Sequence, residues 1–379
     1  MSPVPPPPVP PPLTAAKRLV LKIGSSLLVD EATGHLRRAW LDAMAEDVAA
    51  ARARGTEVVL VTSGAVALGR KSLGLGSGPL RLREKQAAAA AGQIRLAHAY
   101  QEALARHGVT VAQVLLILDD SEIRRRYLNA RNTLETLMKL GAVPVINEND
   151  TVATRDLRFG DNDRMAARVA EMIEADTLVL FSDIDGLYTA NPQVEPGAAF
   201  VPEVAEITPG IEAMAGSAGS SHGTGGMVTK LMAARICMGA GCRMAIALGR
   251  PLHPLKALEE GGRCTWFLPG TEHRTARKRW LAGALRADGA LVVDDGAVAA
   301  LLNGRSLLPA GVVAVEGEFQ RGDSVVVRDP AGRIVARGLT AYAAEDAARI
   351  MGRRSGDIES ILGYRGRDEM IHRDDLVLE

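Results

Sequence analysis

Aromatic side chains are scarce in this sequence, 3% of 379 residues, while alanine and glycine are abundant, a composition common among α/β enzymes. Cysteine is nearly as rare. Cys237, Cys242 and Cys264 are odd in number and lack metal-ligand spacing, so neither a zinc cluster nor a disulfide framework organises the chain. They read as buried free thiols of a reducing, cytoplasmic protein. No apolar run reaches membrane-spanning length, and no hydrophobic signal-peptide core stands near Met1. Net charge is also missing: 45 basic side chains balance 45 acidic ones, which gives no bulk attraction to nucleic acid or membrane. Two nucleotide signatures are absent too. No G-x-G-x-x-G follows the first strand, which disfavours a dinucleotide fold. The nearest approach to a Walker A loop, Gly64 to Lys71, has Arg70 where the lysine should stand.

What remains is long enough for two domains. Residues 3 to 12 are prolines with two valines, which predicts an extended, disordered leader over residues 1–16. From Arg18 apolar strands alternate with helical periodicity. Strands are expected at Leu19–Ile23, Glu57–Thr62, Val109–Leu118, Ala142–Ile146, Asp176–Phe181 and Arg243–Leu248. Helices are expected at Leu36–Arg54, Leu80–Arg106, Glu122–Leu140, Arg164–Glu174 and Met227–Met238. Such alternation implies crossover connections and a mainly parallel sheet covered on both faces. The rhythm breaks near residue 250. A closing strand and a linker over 271–287 follow, and from Gly289 short β segments punctuated by Gly317, Gly322 and Gly332 predict a small β-rich second domain.

The most informative stretch is V-I-N-E-N-D, 145–150, followed by G-D-N-D, 160–163. Asn147, Asp150, Asp161, Asn162 and Asp163 crowd where a strand ends and a helix begins, the place where open α/β sheets bind ligands. Alone, these residues read equally as turn and N-cap chemistry. Three further segments have the same double reading. V-L-K-I-G-S-S sets Lys22 beside Gly24, where amides and a point charge suit phosphate, or where a strand-end lysine is simply solvated. V-T-S-G-A sets Ser63 and Gly64 at a strand-to-helix turn, as an anion site or a plain serine cap. G-T-G-G-M-V-T-K, residues 223–230, opens a helix with Lys230 two turns in. F-S-D-I-D-G, 181–186, places Ser182 and Asp183 at a strand's carboxyl end.

Taken together and in order, these motifs resemble the amino-acid kinase family, in particular its members that phosphorylate the side-chain carboxylate of glutamate. G-L-Y-T at 186–189 adds to the match, and residues from about Asp288 to Arg365 resemble a PUA domain. The resemblance implies an αβα sandwich with a mainly parallel sheet over 17–270, a PUA-like domain over 288–366 and a tail over 367–379. It implies glutamate bound near Ser63, Gly64, Asn147, Asp150, Asp161 and Asn162. ATP would contact Lys22, Gly24, Ser182, Asp183, Thr224, Gly225, Gly226, Met227, Val228, Thr229 and Lys230. Lys22 and Lys230 would clamp the transferring phosphoryl group, and Asp163 would orient both ammonium groups. Mg²⁺ would accompany ATP, with no protein side chain assigned to the metal. Proline would act as feedback inhibitor, glutamyl phosphate reductase as functional partner, and the protein would be a homo-oligomer. Arg164 beside Asp163 is expected on the helix's outer face.

Two rival readings stay in view. A kinase of the same superfamily acting on acetylglutamate or aspartate fits the sheet but not the pairing of N-E-N-D with G-D-N-D. An RNA-binding or RNA-modifying protein fits a PUA tail, but residues 288–366 hold 9 Arg and no Lys against 11 acidic residues, a poor footprint for RNA.

Overall fold

The computed structural model describes residues 12–30, 33–76, 78–153, 161–216, 226–270 and 289–378. The expected leader up to residue 11, the linker, and the loop carrying Thr224 and Gly225 lie outside the described residues. The chain divides into two compact units: Met1–Glu122 with Ala130–His273, and Ile123–Asn129 with Arg274–Glu379.

The first unit is built on an eight-stranded sheet. Its strands are β1 (Arg18–Ile23), β2 (Glu57–Thr62), β3 (Val111–Leu116), β4 (Val143–Glu148), β5 (Thr177–Ser182), β8 (Glu203–Val204), β9 (Arg243–Leu248) and β10 (Cys264–Phe267), in the order β3-β4-β2-β1-β5-β9-β10-β8. The pairs from β3 through β9 are parallel, and β10 runs antiparallel to β9 as the expected closing strand. The central strands are buried on both faces, so they read as continuous apolar runs. β6 (Leu187–Tyr188) and β7 (Phe200–Val201) form a separate two-residue hairpin.

Register sets the site. Ile23 pairs with Thr62 and with Phe181, and Val61 pairs with Ile146. The residues that follow, Gly24, Ser63, Asn147 and Ser182, therefore line one edge of the sheet.

Two helices follow β2 and cross unusually closely. Ala65–Ser72 starts after Gly64, whose φ of 108° is a left-handed conformation that glycine adopts without strain. It crosses Leu82–Ala105 at Gly69 and Gly92. A Cβ on Gly69 would lie 1.7 Å from the Ala88 carbonyl oxygen, and one on Gly92 would lie 1.8 Å from that of Ala65. The backbones touch, and no larger residue fits between them.

The leader needs correcting at its end. Residues 12–16 do not belong to a disordered extension: Leu13–Ala15 is a 3-10 turn, and Leu13 and Ala16 join the core with Leu19, Trp40 and Leu258. The Arg243 guanidinium donates to the Pro12 carbonyl at 3.3 Å. Pro12 keeps an extended backbone, with φ −57° and ψ 151°, and burial of Leu13 directly after it ties the chain to the core.

In the second unit, β11 (Gly289–Val293), β12 (Val312–Gly317), β13 (Ser324–Arg328), β14 (Ile334–Leu339) and β15 (Leu376–Leu378) form one sheet, ordered β12-β11-β13-β14-β15. Leu291, Val325, Val327, Ile350 and Ile371 are buried in a core of its own. Leu376–Leu378, expected in a tail, pairs with β14 as an edge strand.

The helix crossing yields a stability prediction. Gly92→Ala places a methyl against backbone that cannot rotate away, so it should destabilise by about 1–3 kcal/mol. Gly197→Ala, where the added methyl meets open space, is the control. Equal urea midpoints for the two variants would show that the helices have room to part.

Candidate functional site

Asp163 organises the polar edge. It lies in the first turn of the helix Asp161–Met172 and is wholly buried. Its Oδ1 is 2.7 Å from Lys22 Nζ, and its Oδ2 is 3.2 Å from Lys230 Nζ. The Thr229 hydroxyl donates to Oδ2 at 2.9 Å. Burial pushes the Asp163 carboxyl up, but the charges of Lys22 and Lys230, with the hydrogen bonds from Lys22 and Thr229, outweigh it and hold the pKa at about 2. Burial pulls Lys230 down, opposed by Asp163. Arg164, the next residue, is half-buried.

Both ammonium groups border glycine-containing turns. A Cβ on Gly24 would make only ordinary contact, 3.8 Å from the Phe181 carbonyl oxygen and 4.0 Å from Lys22 Nζ, which places this turn beside the ammonium group. Lys230 lies in the helix Met227–Gly239, whose N-terminus at Gly226 has no side-chain cap among the described residues. Val228 is exposed on the same turn. The Ser182 hydroxyl donates to exposed Asp183 at 3.0 Å, and Asp183 contributes favourable charge at Lys230. The structure therefore gathers Lys22, Gly24, Asp163, Gly226, Thr229 and Lys230 around one point. Thr229, expected among nucleotide contacts, has its one hydroxyl hydrogen shared between Asp163 and the Gly226 carbonyl 2.8 Å away.

A second cluster adjoins it, one residue back along the same helix. Asn162 Nδ2 donates to Ser63 Oγ at 2.6 Å, to the Thr62 carbonyl at 3.0 Å and to Asn147 Oδ1 at 3.3 Å. Asn162 Oδ1 is buried and has no hydrogen-bond partner among the described residues. No side chain caps the helix starting at Ala65, so its free amides open beside Ser63. Asp150 lies in a cleft of about 280 Å³ with Gln93, Gln113, Glu148 and Asn149. Burial raises the Asp150 pKa to about 6. The Asp161 side chain lies outside the described residues.

Two supporting residues were absent from the sequence expectations. Gln93 Oε1 accepts from Asn147 Nδ2 at 2.8 Å. Tyr100, fully buried, meets Thr62 Oγ1 at 2.9 Å beneath the site, and burial raises its hydroxyl well above the usual range. Their sequence signal is slight: one of three glutamines and the single tyrosine of an alanine-rich helix.

Paired buried lysines bridged by a carboxylate, open helix N-termini and an adjacent amide-lined cleft together suit phosphoryl transfer to a small polar acid. Comparison with known proteins agrees. The model of the amino acid kinase family matches residues 17–247, and that of the PUA domain matches residues 289–362. The chain therefore belongs to the amino acid kinase family, as a kinase carrying a C-terminal PUA domain. Over nearly its full length it is similar to proteins of one name. It is 68% identical to the glutamate 5-kinase of Paramagnetospirillum magneticum, over 97% of this chain and 99% of the relative. It is 63% identical to that of Rhodospirillum rubrum, over 95% and 96%, and 58% identical to that of Rhizobium etli, over 97% and 94%. No helix among the described residues is long and apolar enough to cross a membrane.

The bridge predicts its own failure mode. Asp163→Asn leaves two buried ammonium groups facing each other, so unfolding free energy should drop by about 3–5 kcal/mol at neutral pH. Because the Asp163 pKa is depressed from 3.8, its contribution is full above pH of about 4 and lost as pH falls through about 2. Urea titrations of both proteins at neutral pH check this. Matching midpoints would mean the lysines shed their charge at no cost.

Proposed function

We propose that this protein transfers the γ-phosphoryl group of ATP to the side-chain carboxylate of glutamate, giving γ-glutamyl phosphate, the first intermediate toward proline. The observation that carries the reading is the Lys22–Asp163–Lys230 bridge, set one residue from the Asn162 cluster. The attacking carboxylate is already ionised at neutral pH and needs no general base. One of its oxygens bonds to the γ-phosphorus while the bond to the β–γ bridging oxygen breaks. The tasks left to the protein are positioning two anions and neutralising the charge that spreads over the transferring group.

Lys22 and Lys230 do the second task from two sides, with Asp163 fixing both. Gly24 and the amides at Gly226 receive phosphate oxygens, and Ser182 and Asp183 lie where the nucleoside end would rest. Ser63, Asn147, Asn162 and the Ala65 helix amides take the substrate's polar groups. Asp150 binds its ammonium group. Mg²⁺ would enter with ATP as part of the nucleotide substrate, with no protein side chain assigned to it. Proline as feedback inhibitor, a homo-oligomer, and glutamyl phosphate reductase as the enzyme that takes the labile product complete the reading.

Glutamate-dependent ADP release, compared with acetylglutamate and aspartate, tests the assignment. A clear preference for either rival acid would overturn it. Lys22→Ala and Lys230→Ala should each cut kcat by roughly 100- to 1,000-fold while the melting transition stays cooperative. Near-normal turnover would remove that lysine from the chemistry.

A pH profile isolates Asp150. With a pKa of about 6 in the free protein, it is ionised at neutral pH and takes up a proton as pH falls. Since kcat/KM reports the free enzyme, kcat/KM for glutamate should decline below pH of about 6. The substrate carboxylate titrates lower, near 4.3, so the two limbs separate. Asp150→Asn should raise the glutamate KM and flatten the upper limb. A limb that survives the substitution belongs to another group.

A further inference from the structure

We propose that Gln93 is a positioning residue for substrate specificity: it sets the direction of a chain of amides so that a carbonyl oxygen, not an amino group, meets the ammonium group of the acid substrate. The inference rests on the proposed function for the nature of that substrate.

A primary amide is polar end to end, with two donors on nitrogen and an acceptor oxygen opposite. Gln93 Oε1 takes Asn147 Nδ2 at 2.8 Å. That turns Asn147 Oδ1 toward Asn162, whose Nδ2 it receives at 3.3 Å. Ser63 Oγ and the Thr62 carbonyl draw the same nitrogen. The three acceptors share the two hydrogens of Asn162, with the Asn147 contact the longest, and its Oδ1 is left buried with no partner among the described residues. A buried acceptor without a donor is costly until a ligand supplies one, and an ammonium group brings three. Without Gln93, Asn147 can rotate by half a turn and present its amino group to Asn162. That would weaken the hold on Asn162 and on the acceptor it presents.

The helix crossing gives Gln93 a fixed platform. Its neighbour Gly92 sits against the Ala65 carbonyl, where even a methyl would overlap. The Gln93 side chain is thereby held at a set distance from the Ser63–Gly64 turn. Gln93 also lines the cleft containing Asp150, so it joins the amide cluster to the acidic one.

The experiment uses two variants of the full-length protein. Gln93→Met keeps length and helix preference but removes the acceptor. Gln93→Glu keeps an acceptor oxygen for Asn147. Glutamate is compared with glutarate, which has the same carbon chain and no ammonium group. Gln93→Met is expected to raise the glutamate KM roughly 3- to 10-fold, leaving the ATP KM and kcat within about twofold. Its preference for glutamate over glutarate in kcat/KM should fall by a similar factor. Gln93→Glu should restore the glutamate KM. An unchanged preference in the Met variant, or a Glu variant as impaired as the Met variant, would overturn the inference while wild-type activity on glutamate stands. A wild-type protein inactive on glutamate would overturn the functional reading, and this inference with it.

Discussion

The meeting of Asp163 with Lys22 and Lys230 constrains everything around it. The three residues come from the end of β1, the start of one helix and the second turn of another. None could be buried charged on its own, because removing an isolated ion from water costs several kcal/mol. Together they are tolerated, but the arrangement brings little net stability. Its value is positional. The strand must end and both helices must begin where they do, or a buried charge is stranded. The same constraint leaves two cations aimed at a common point, which is what a transferring phosphoryl group requires.

The sheet was legible because its central strands are buried on both faces. Leu19–Ile23, Glu57–Thr62 and Arg243–Leu248 are short apolar runs between helical stretches, and the structure has them within a residue of expectation. β6, β7 and β8 escaped notice because two residues carry no period. The ends of longer elements moved too. Val109–Leu118 shortened to Val111–Leu116, and the helix after it began with a separate turn, Leu118–Glu122.

The site was legible in a different way. Lys22, Asp163 and Lys230 stand far apart in sequence, and each alone reads as ordinary turn or cap chemistry. Their common purpose came from the resemblance carried by the surrounding motifs. What neither periodicity nor motif revealed was the support beneath them. Gln93 and Tyr100 sit in an alanine-rich helix where pattern reports only which face is inward. Gly69 and Gly92 carry no signal in the pattern, yet they are where two backbones touch. Such roles depend on tertiary approach, to which local sequence is blind.

The place of β1 in the sheet has a temporal consequence. The first strand of the chain to be made lies at the centre, and its two neighbours are β2 and β5. On the ribosome it can find β2 early, but its other edge stays open until residues 177–182 emerge. The Lys22–Asp163–Lys230 bridge waits longer still, since its second lysine lies some 200 residues downstream of the first. At ordinary synthesis rates that interval is roughly 10–40 s. A nascent chain of this protein thus carries an apolar, half-paired strand for much of its birth, and contacts of such long range form slowly even once available. The arrangement that gives the mature protein a rigid, doubly covered centre makes its growing chain a client for whatever shields exposed strand edges in the cell.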